Sequence, residues 1–183
     1  MYRNNLSGAE FWTSPHKAIT LLGMSGAGKT TLASRLPQRT WFHYSGDYRI
    51  GTRYLGEAIL DNAKREAMKS PLLAELLRSD SIYLCNNITV SNLKPLSGFL
   101  GMVGDPALGG LGIDEFKRRQ ALHRDAEVCS MLDVREFIDK SLEIYGYPHF
   151  INDAGGSLCE LDEPGVLEQL AEDTLIVYLK PSD

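Results

Sequence analysis

The chain has 183 residues, which suits one domain with a buried core, and 43% hydrophobic with 23% charged residues is typical of a globular protein. A formal net charge of −5 offers no basic surface for a phosphate backbone and disfavours a dedicated nucleic-acid binder. The three cysteines form no zinc-binding pattern, so we expect free, mostly buried thiols. With no signal-peptide core and no apolar run of transmembrane length, a cytoplasmic protein without membrane contact is expected.

The first half of the chain begins with alternating strand and helix signals. Apolar and β-branched runs indicate strands, and amphipathic runs indicate helices. Proline ends the first helix at Pro37 and interrupts the second at Pro71. In order, the predicted elements are a buried strand at 18–22, a helix at 29–36, a strand at 40–44, a turn at 45–47 and a helix at 53–79.

The second half opens with a segment that is strand-like or extended and continues with a glycine-rich stretch that is expected to be irregular. Helices follow, the first of them with Asp114 as a plausible N-cap. In order, the predictions are an extended segment at 81–90, an irregular segment at 95–112, helices at 114–132 and 134–146, a strand at 148–153, a helix at 163–173 and a strand at 174–179.

Strands that alternate with helices predict one α/β domain, spanning 1–183, around a mostly parallel sheet. The segment 52–113 fits this alternation poorly. We expect it to be a largely helical insertion or cap on the α/β core.

The stretch from Gly23 to Thr30 matches the pattern G-x-x-x-x-G-K-[ST] at every fixed position, between a predicted strand and a predicted helix. Its glycines allow backbone N–H groups to face phosphate oxygens. Lys29 would reach the β- and γ-phosphates of ATP, and the Thr30 hydroxyl would hold Mg²⁺. The predicted nucleotide-binding residues are Gly23, Met24, Ser25, Gly26, Ala27, Gly28, Lys29, Thr30 and Thr31.

This stretch, GMSGAGKTTLA, resembles the phosphate-binding loop of small-molecule kinases such as adenylylsulfate kinase and gluconate kinase. The following YSGDYR at 44–49 extends the likeness, because those families place an acidic residue and a nearby Arg there, against the phosphate-accepting substrate. The resemblance implies a P-loop NTPase fold, a three-layer sandwich. It also implies that Asp47 and Arg49 contact the acceptor.

The residues support the same reading without the families. A carboxylate at the carboxyl end of a strand beside the strand of the P-loop would lie in the crevice where α/β sheets bind ligands. Asp47 could orient or deprotonate an attacking hydroxyl there. Arg49 could neutralise an acidic acceptor or the transferring phosphoryl group. A Ser-Gly-Asp turn with an exposed Arg is the alternative.

A second likeness covers 149–182, which resembles the strand, Gly-Gly-x, helix and strand of shikimate kinases. It implies that Gly155 and Gly156, with Ser157 in the third place, let the backbone approach the acceptor. The segment DEFKRR at 114–119 weakly resembles another part of that family and implies that Lys117 or Arg118 lines the acceptor site.

Asp153 ends the third predicted strand and could hold the water shell of Mg²⁺, with a turn-forming Asp before two glycines as the alternative. The four histidines form no metal-binding spacing and are read as packed or surface residues. Kinases of the resembled type continue past a strand such as 174–179. We therefore expect either a truncated chain or other segments that supply the lid and the adenine contacts.

The sequence thus favours an ATP- and Mg²⁺-dependent kinase that moves the γ-phosphoryl group of ATP to a hydroxyl of a small-molecule acceptor. One alternative is an ATPase or nucleotide-gated switch that acts on a protein partner through 52–113. A kinase of nucleic-acid ends is a further alternative, which the acidic charge disfavours.

Overall fold

The structure is a computed structural model that describes residues 7–156, 158 and 163–180. Ser157, named above, and Cys159, one of the three cysteines, lie outside the described residues. The chain divides into two compact units. The first unit comprises 1–47 and 127–183, and the second comprises 48–126. The segment predicted as an insertion, 52–113, falls within the second unit.

Helices and strands alternate in the first unit, whereas helices follow one another over 46–143. The α-helices are α1 Gly8–Thr13, α2 Lys29–Arg35, α3 Gly46–Arg49, α4 Gly56–Ala67, α5 Pro71–Arg78, α6 Lys94–Leu100, α7 Ile113–Leu132, α8 Val134–Glu143 and α9 Pro164–Asp173. A π-helical segment covers Ile50–Tyr54, and a 3₁₀ turn covers Pro106–Leu108. The strands are β1 Lys17–Leu22, β2 Trp41–Ser45, β3 His149–Asp153 and β4 Leu175–Tyr178. None of these helices combines the length and apolar content needed to cross a lipid bilayer.

The four strands form one parallel sheet in the first unit, in the order β2-β3-β1-β4. The predicted α/β class and parallel sheet are therefore confirmed. The expectation that β2 lies beside the strand of the P-loop is wrong, because β3 pairs with both β1 and β2. The predicted turn at 45–47 is also wrong, since the chain enters α3 directly after β2.

Helices cover both faces of this sheet, because alternate strand residues point to opposite sides. On one face, Leu21 and Ile151 pack with Ala33 of α2. On the other, Phe150 packs with Val166 and other residues of α8 and α9. The connections that follow the neighbouring strands β1 and β3 thus run to opposite faces. The switch point of the sheet, where open α/β sheets bind ligands, lies between the carboxyl ends of these two strands.

A row of polar side chains crosses the otherwise apolar face of the sheet on the α9 side. Asn152 and Thr20 are fully buried, and the Asn152 Nδ2 group donates to Thr20 Oγ1 over 3.2 Å. Thr174 Oγ1 lies 2.7 Å from Thr20 Oγ1 and 2.7 Å from the carbonyl oxygen of Leu170. The row therefore links β3, β1 and the end of α9 by hydrogen bonds, which offset part of the cost of burying these groups, while Oδ1 of Asn152 has no hydrogen-bond partner among the described residues.

The second unit has its own apolar core, and two sequence expectations change there. The core is formed by Ile50, Leu55, Ile59, Ile88, Leu96, Phe99 and Ala126. The segment 81–90, expected to be strand-like or extended, forms no strand ladder, but its side chains alternate in exposure as in an extended chain, and Ile88 is buried. The segment 95–112 is not wholly irregular, because α6 runs through it with buried anchors at Leu96 and Phe99. Cys85 is free but exposed, not buried.

Arg119 joins three helices of the second unit, and only 8% of the residue is exposed. Its guanidinium donates to Glu115 over 2.7 Å, to Asn62 of α4 over 2.8 Å and to the carbonyl oxygen of Phe99 at the end of α6. The guanidinium carbon also lies 4.7 Å from the centroid of the Phe99 ring. A buried Arg with this many partners is a structural residue of the unit.

Glu115 is expected to make the stability of the protein depend on pH. Hydrogen bonds from Arg118 and then Arg119 lower the pKa of Glu115 from 4.5 to about 2. Because the folded state has the lower pKa, its stabilising effect is present above pH 4.5 and is lost as the pH falls towards 2. We expect Glu115→Gln to lower the urea midpoint at pH 6, and to lower it progressively less below pH 4.5.

The control is Glu66→Gln, which breaks the exposed pair with Lys69 at the same helical spacing. Urea midpoints of the three proteins between pH 3 and pH 6 give the measurement. A difference between wild type and Glu115→Gln that is the same at every pH would contradict the prediction.

Candidate functional site

The segment between β1 and α2 forms a tight loop. At several of its positions the backbone has a conformation that favours glycine. Gly23, Gly26 and Gly28 have φ angles of 145°, 82° and 89°, a region that other residues rarely adopt. A Cβ on Gly23 would also lie 2.6 Å from the carbonyl oxygen of Leu179. Gly23 and Gly28, which the predicted pattern fixes, and Gly26 between them are therefore needed for the shape of the loop.

Lys29 lies under this loop, with only 7% of the residue exposed. Its ammonium group donates to the carbonyl oxygens of Gly23 over 2.7 Å and Met24 over 3.1 Å. Most of the surrounding predicted residues are exposed, among them Ser25, Gly26 and Thr30. The loop thus holds a buried positive charge beneath an exposed rim of small side chains, an arrangement suited to an anion.

The carboxyl ends of the three strands on this side of the sheet are level with one another. Asp153, the last residue of β3, pairs in register with Leu21 of β1 and with Ser45 of β2. A Cβ on Gly46 would lie 3.3 Å from the backbone nitrogen of Gly155. The start of α3 therefore packs directly on the chain after β3. The segments that follow β2 and β3 thus meet at one edge of the sheet.

Gly155 and Gly156 pack between the loop that joins β1 to α2 and two carboxylates. A Cβ on Gly156 would lie 2.9 Å from the backbone nitrogen of Ser25, so this glycine touches that loop. A Cβ on Gly155 would collide with Oε1 of Glu127 and would lie 3.5 Å from Oδ1 of Asp47. Neither glycine has a positive φ, so both are required for space rather than for backbone conformation.

The sequence patterns did not single out two residues that lie at this edge. Glu127 is a carboxylate with 1% of the residue exposed, and it lies one and two helical turns before the buried Met131 and Val134. That spacing places it on the apolar face of its helix, a signal that the sequence contained. His43, read as a packed or surface residue, lies with its Nε2 3.5 Å from Oδ2 of Asp153.

The other predicted site residues belong to the second unit. The Arg49 guanidinium lies 5.7 Å from the centroid of the Tyr54 ring. Arg118 donates two hydrogen bonds, of 2.7 Å and 2.8 Å, to Glu115 one turn earlier on α7, and this carboxylate raises the pKa of Arg118. Lys117 is exposed. The first unit therefore brings together the loop between β1 and α2, Asp47, Asp153 and the two glycines.

The chemistry of the donors at this edge suits a hard divalent cation. The Thr30 hydroxyl and the Asp153 carboxylate are oxygen ligands of the kind that Mg²⁺ prefers when phosphate oxygens and water complete its coordination. Only 6% of Asp153 is exposed, so its carboxylate is held at the strand end. Among the described residues, no group of three or more His, Cys, Asp or Glu side chains is arranged to hold a metal ion by itself.

Comparison of the chain with protein-family models, with curated proteins and with solved structures gave no match. The functional argument therefore uses only the residues and geometry described above.

Proposed function

We propose that this chain is a small-molecule kinase, which binds Mg²⁺ and ATP at the P-loop and transfers the γ-phosphoryl group to a hydroxyl of an acceptor. The observation that carries the proposal is the position of the loop. It follows the strand β1 at the switch point of a parallel sheet, and it has Lys29 buried beneath it and Asp47 and Asp153 at the same sheet edge.

The residues divide the work of the reaction. Lys29 would exchange its bonds with the loop carbonyls for bonds to phosphate oxygens, and so offset the charge that develops on them. Asp47 would accept the proton of the acceptor hydroxyl. The acceptor oxygen then bonds to the γ-phosphorus as the bond to the bridging oxygen breaks, and ADP leaves with that electron pair. Mg²⁺, when bound by Thr30 and Asp153, would neutralise phosphate charge.

Asp47→Asn tests this assignment. The purified chain is incubated with Mg²⁺, ATP and a metabolite library, and ADP formation identifies the acceptor. Because the amide cannot accept the hydroxyl proton, we expect transfer to fall about 100-fold while binding of a fluorescent ATP analogue changes by less than about threefold.

Asp139→Asn, a change at an exposed carboxylate of α8, is the matched control and should keep full transfer. Undiminished transfer by Asp47→Asn would remove Asp47 from the reaction. Failure of the wild-type chain to bind the analogue would remove the kinase proposal.

A second candidate function is an ATPase or switch that acts on a protein partner. The observation that favours it is the second unit, which carries large exposed apolar side chains. Tyr83, Met102 and Leu108 are 85%, 80% and 88% exposed. Side chains of this kind are common in protein contacts. ATP turnover separates the two functions, because a kinase responds to a metabolite whereas a switch responds to a protein.

A further inference from the structure

Glu127 is the charged residue with the lowest exposure among the buried residues described, and the proposed chemistry gives it no role. A carboxylate buried to this extent is costly unless neighbouring groups stabilise it. Its place in the fold is specific, since it projects from α7 at the carboxyl edge of the sheet, where the P-loop and Asp47 also lie.

The contact that Glu127 makes there is with the chain after β3. Its Oε1 fills the space where Gly155 lacks a side chain, and Oδ1 of Asp47 borders the same space. On the opposite side, the segment after β3 contacts the phosphate loop, because Gly156 packs against the backbone of Ser25. The two glycines are therefore held between the phosphate loop and a pair of carboxylates.

From this geometry we infer that Glu127 is a positioning residue of the site, which acts through Gly155 to fix the chain after β3 and the Asp47 carboxylate beside it. The inference rests on the proposed function. Glu127 works by the space that its side chain fills beside Gly155, and takes no proton in the reaction. Removing its side chain lets the chain after β3 move into the vacated space, and Asp47 then loses its fixed neighbour.

The test is a double-mutant cycle in the full chain. It combines Glu127→Ala with Gly155→Ala. The measured quantities are kcat for the slow release of phosphate from ATP in the presence of Mg²⁺ and the Kd of fluorescent mant-ADP. Each single change is expected to lower kcat at least tenfold and to alter the Kd less than threefold. In the double variant the new methyl group enters the space that Glu127 vacated, so the loss should be no greater than in either single variant.

Glu127→Gln keeps the size of the side chain and one acceptor oxygen, and it is expected to retain kcat within threefold of wild type. Two matched controls should leave both quantities unchanged. Glu143→Gln alters an exposed acid at the end of α8, and Gly165→Ala adds a methyl group where no atom lies within 4 Å. Far-UV circular dichroism and thermal unfolding report whether each variant is folded.

The possible outcomes separate the two claims. Losses in kcat that multiply in the double variant would overturn the inference, because the two residues would then act independently. Glu127→Gln that is as inactive as Glu127→Ala would show that the charge takes part in the reaction, which also overturns a positioning role. A wild-type chain that fails to bind mant-ADP contradicts the proposed function itself. If it binds but releases no phosphate, non-additive shifts in the unfolding temperature still decide whether Glu127 and Gly155 act on each other.

Discussion

Lys29→Ala is expected to weaken the binding of a fluorescent ATP analogue about 100-fold, or about 2.8 kcal/mol, and to abolish measurable ATP turnover. Lys29 is buried beneath the loop and donates to the carbonyl oxygens of Gly23 and Met24. Its removal takes away the positive charge that would face the phosphates. It also leaves two loop carbonyls without this donor, so the loop loses two hydrogen bonds that hold its conformation.

Lys17→Ala is the matched control, because it removes the same charge at the other edge of the sheet. The Lys17 ammonium donates to the carbonyl oxygen of Ser14, far along β1 from the loop. Fluorescence titration with and without Mg²⁺ gives the affinities, and phosphate release gives turnover. Equal affinities for wild type and Lys29→Ala would mean that the loop does not serve as a phosphate site.

The second large effect concerns stability, and it is expected for Arg119→Met in the second unit. The substitution keeps the apolar stem but removes the donors to Glu115, Asn62 and the Phe99 carbonyl. Partly buried acceptors are then left without this partner, which is expected to cost about 2–4 kcal/mol of the free energy of unfolding. Amide hydrogen exchange should increase most in α4, α6 and the first part of α7.

Arg118→Met is the control on the neighbouring residue. It pairs with the same Glu115, but half of its side chain is exposed, so the loss should be within about 0.5 kcal/mol. Urea unfolding followed by circular dichroism gives the two values. If the two variants were equally stable, the buried hydrogen bonds of Arg119 would contribute nothing beyond a surface pair.

Local patterns in the sequence predicted local structure well. The four strands lie within a residue or two of their predicted positions, because each is a short run that contains apolar, aromatic or β-branched residues. The loop between β1 and α2 was equally predictable, because its glycines mark positions where the backbone has positive φ angles. The level carboxyl ends of β2 and β3 also followed from the parallel sheet.

Features that depend on distant residues were not predictable in this way. The place of β3 between β1 and β2 results from pairing between strands that are more than 100 residues apart in the chain. Asn152 makes its strand weakly apolar, and its burial depends on partners far away in the chain, Thr20 and Met131. The helix α6 was hidden because its sequence contains Pro95 and Gly98. Pro95 lies in the first turn of the helix, where proline is tolerated, and Leu96 and Phe99 anchor the helix in the core.

The row of Thr20, Asn152 and Thr174 has a consequence for how the sheet assembles. Side chains on a strand alternate in direction, so a slip of β3 by one residue would turn Asn152 towards the apolar cluster around Ile151 and Ala33. The side chains of that apolar cluster would leave the Asn152 amide without the hydrogen bonds of the row. A misaligned sheet would therefore be less stable than the aligned one. The row thereby selects the one alignment that sets Asp153 level with the end of β1, at the depth where the P-loop begins.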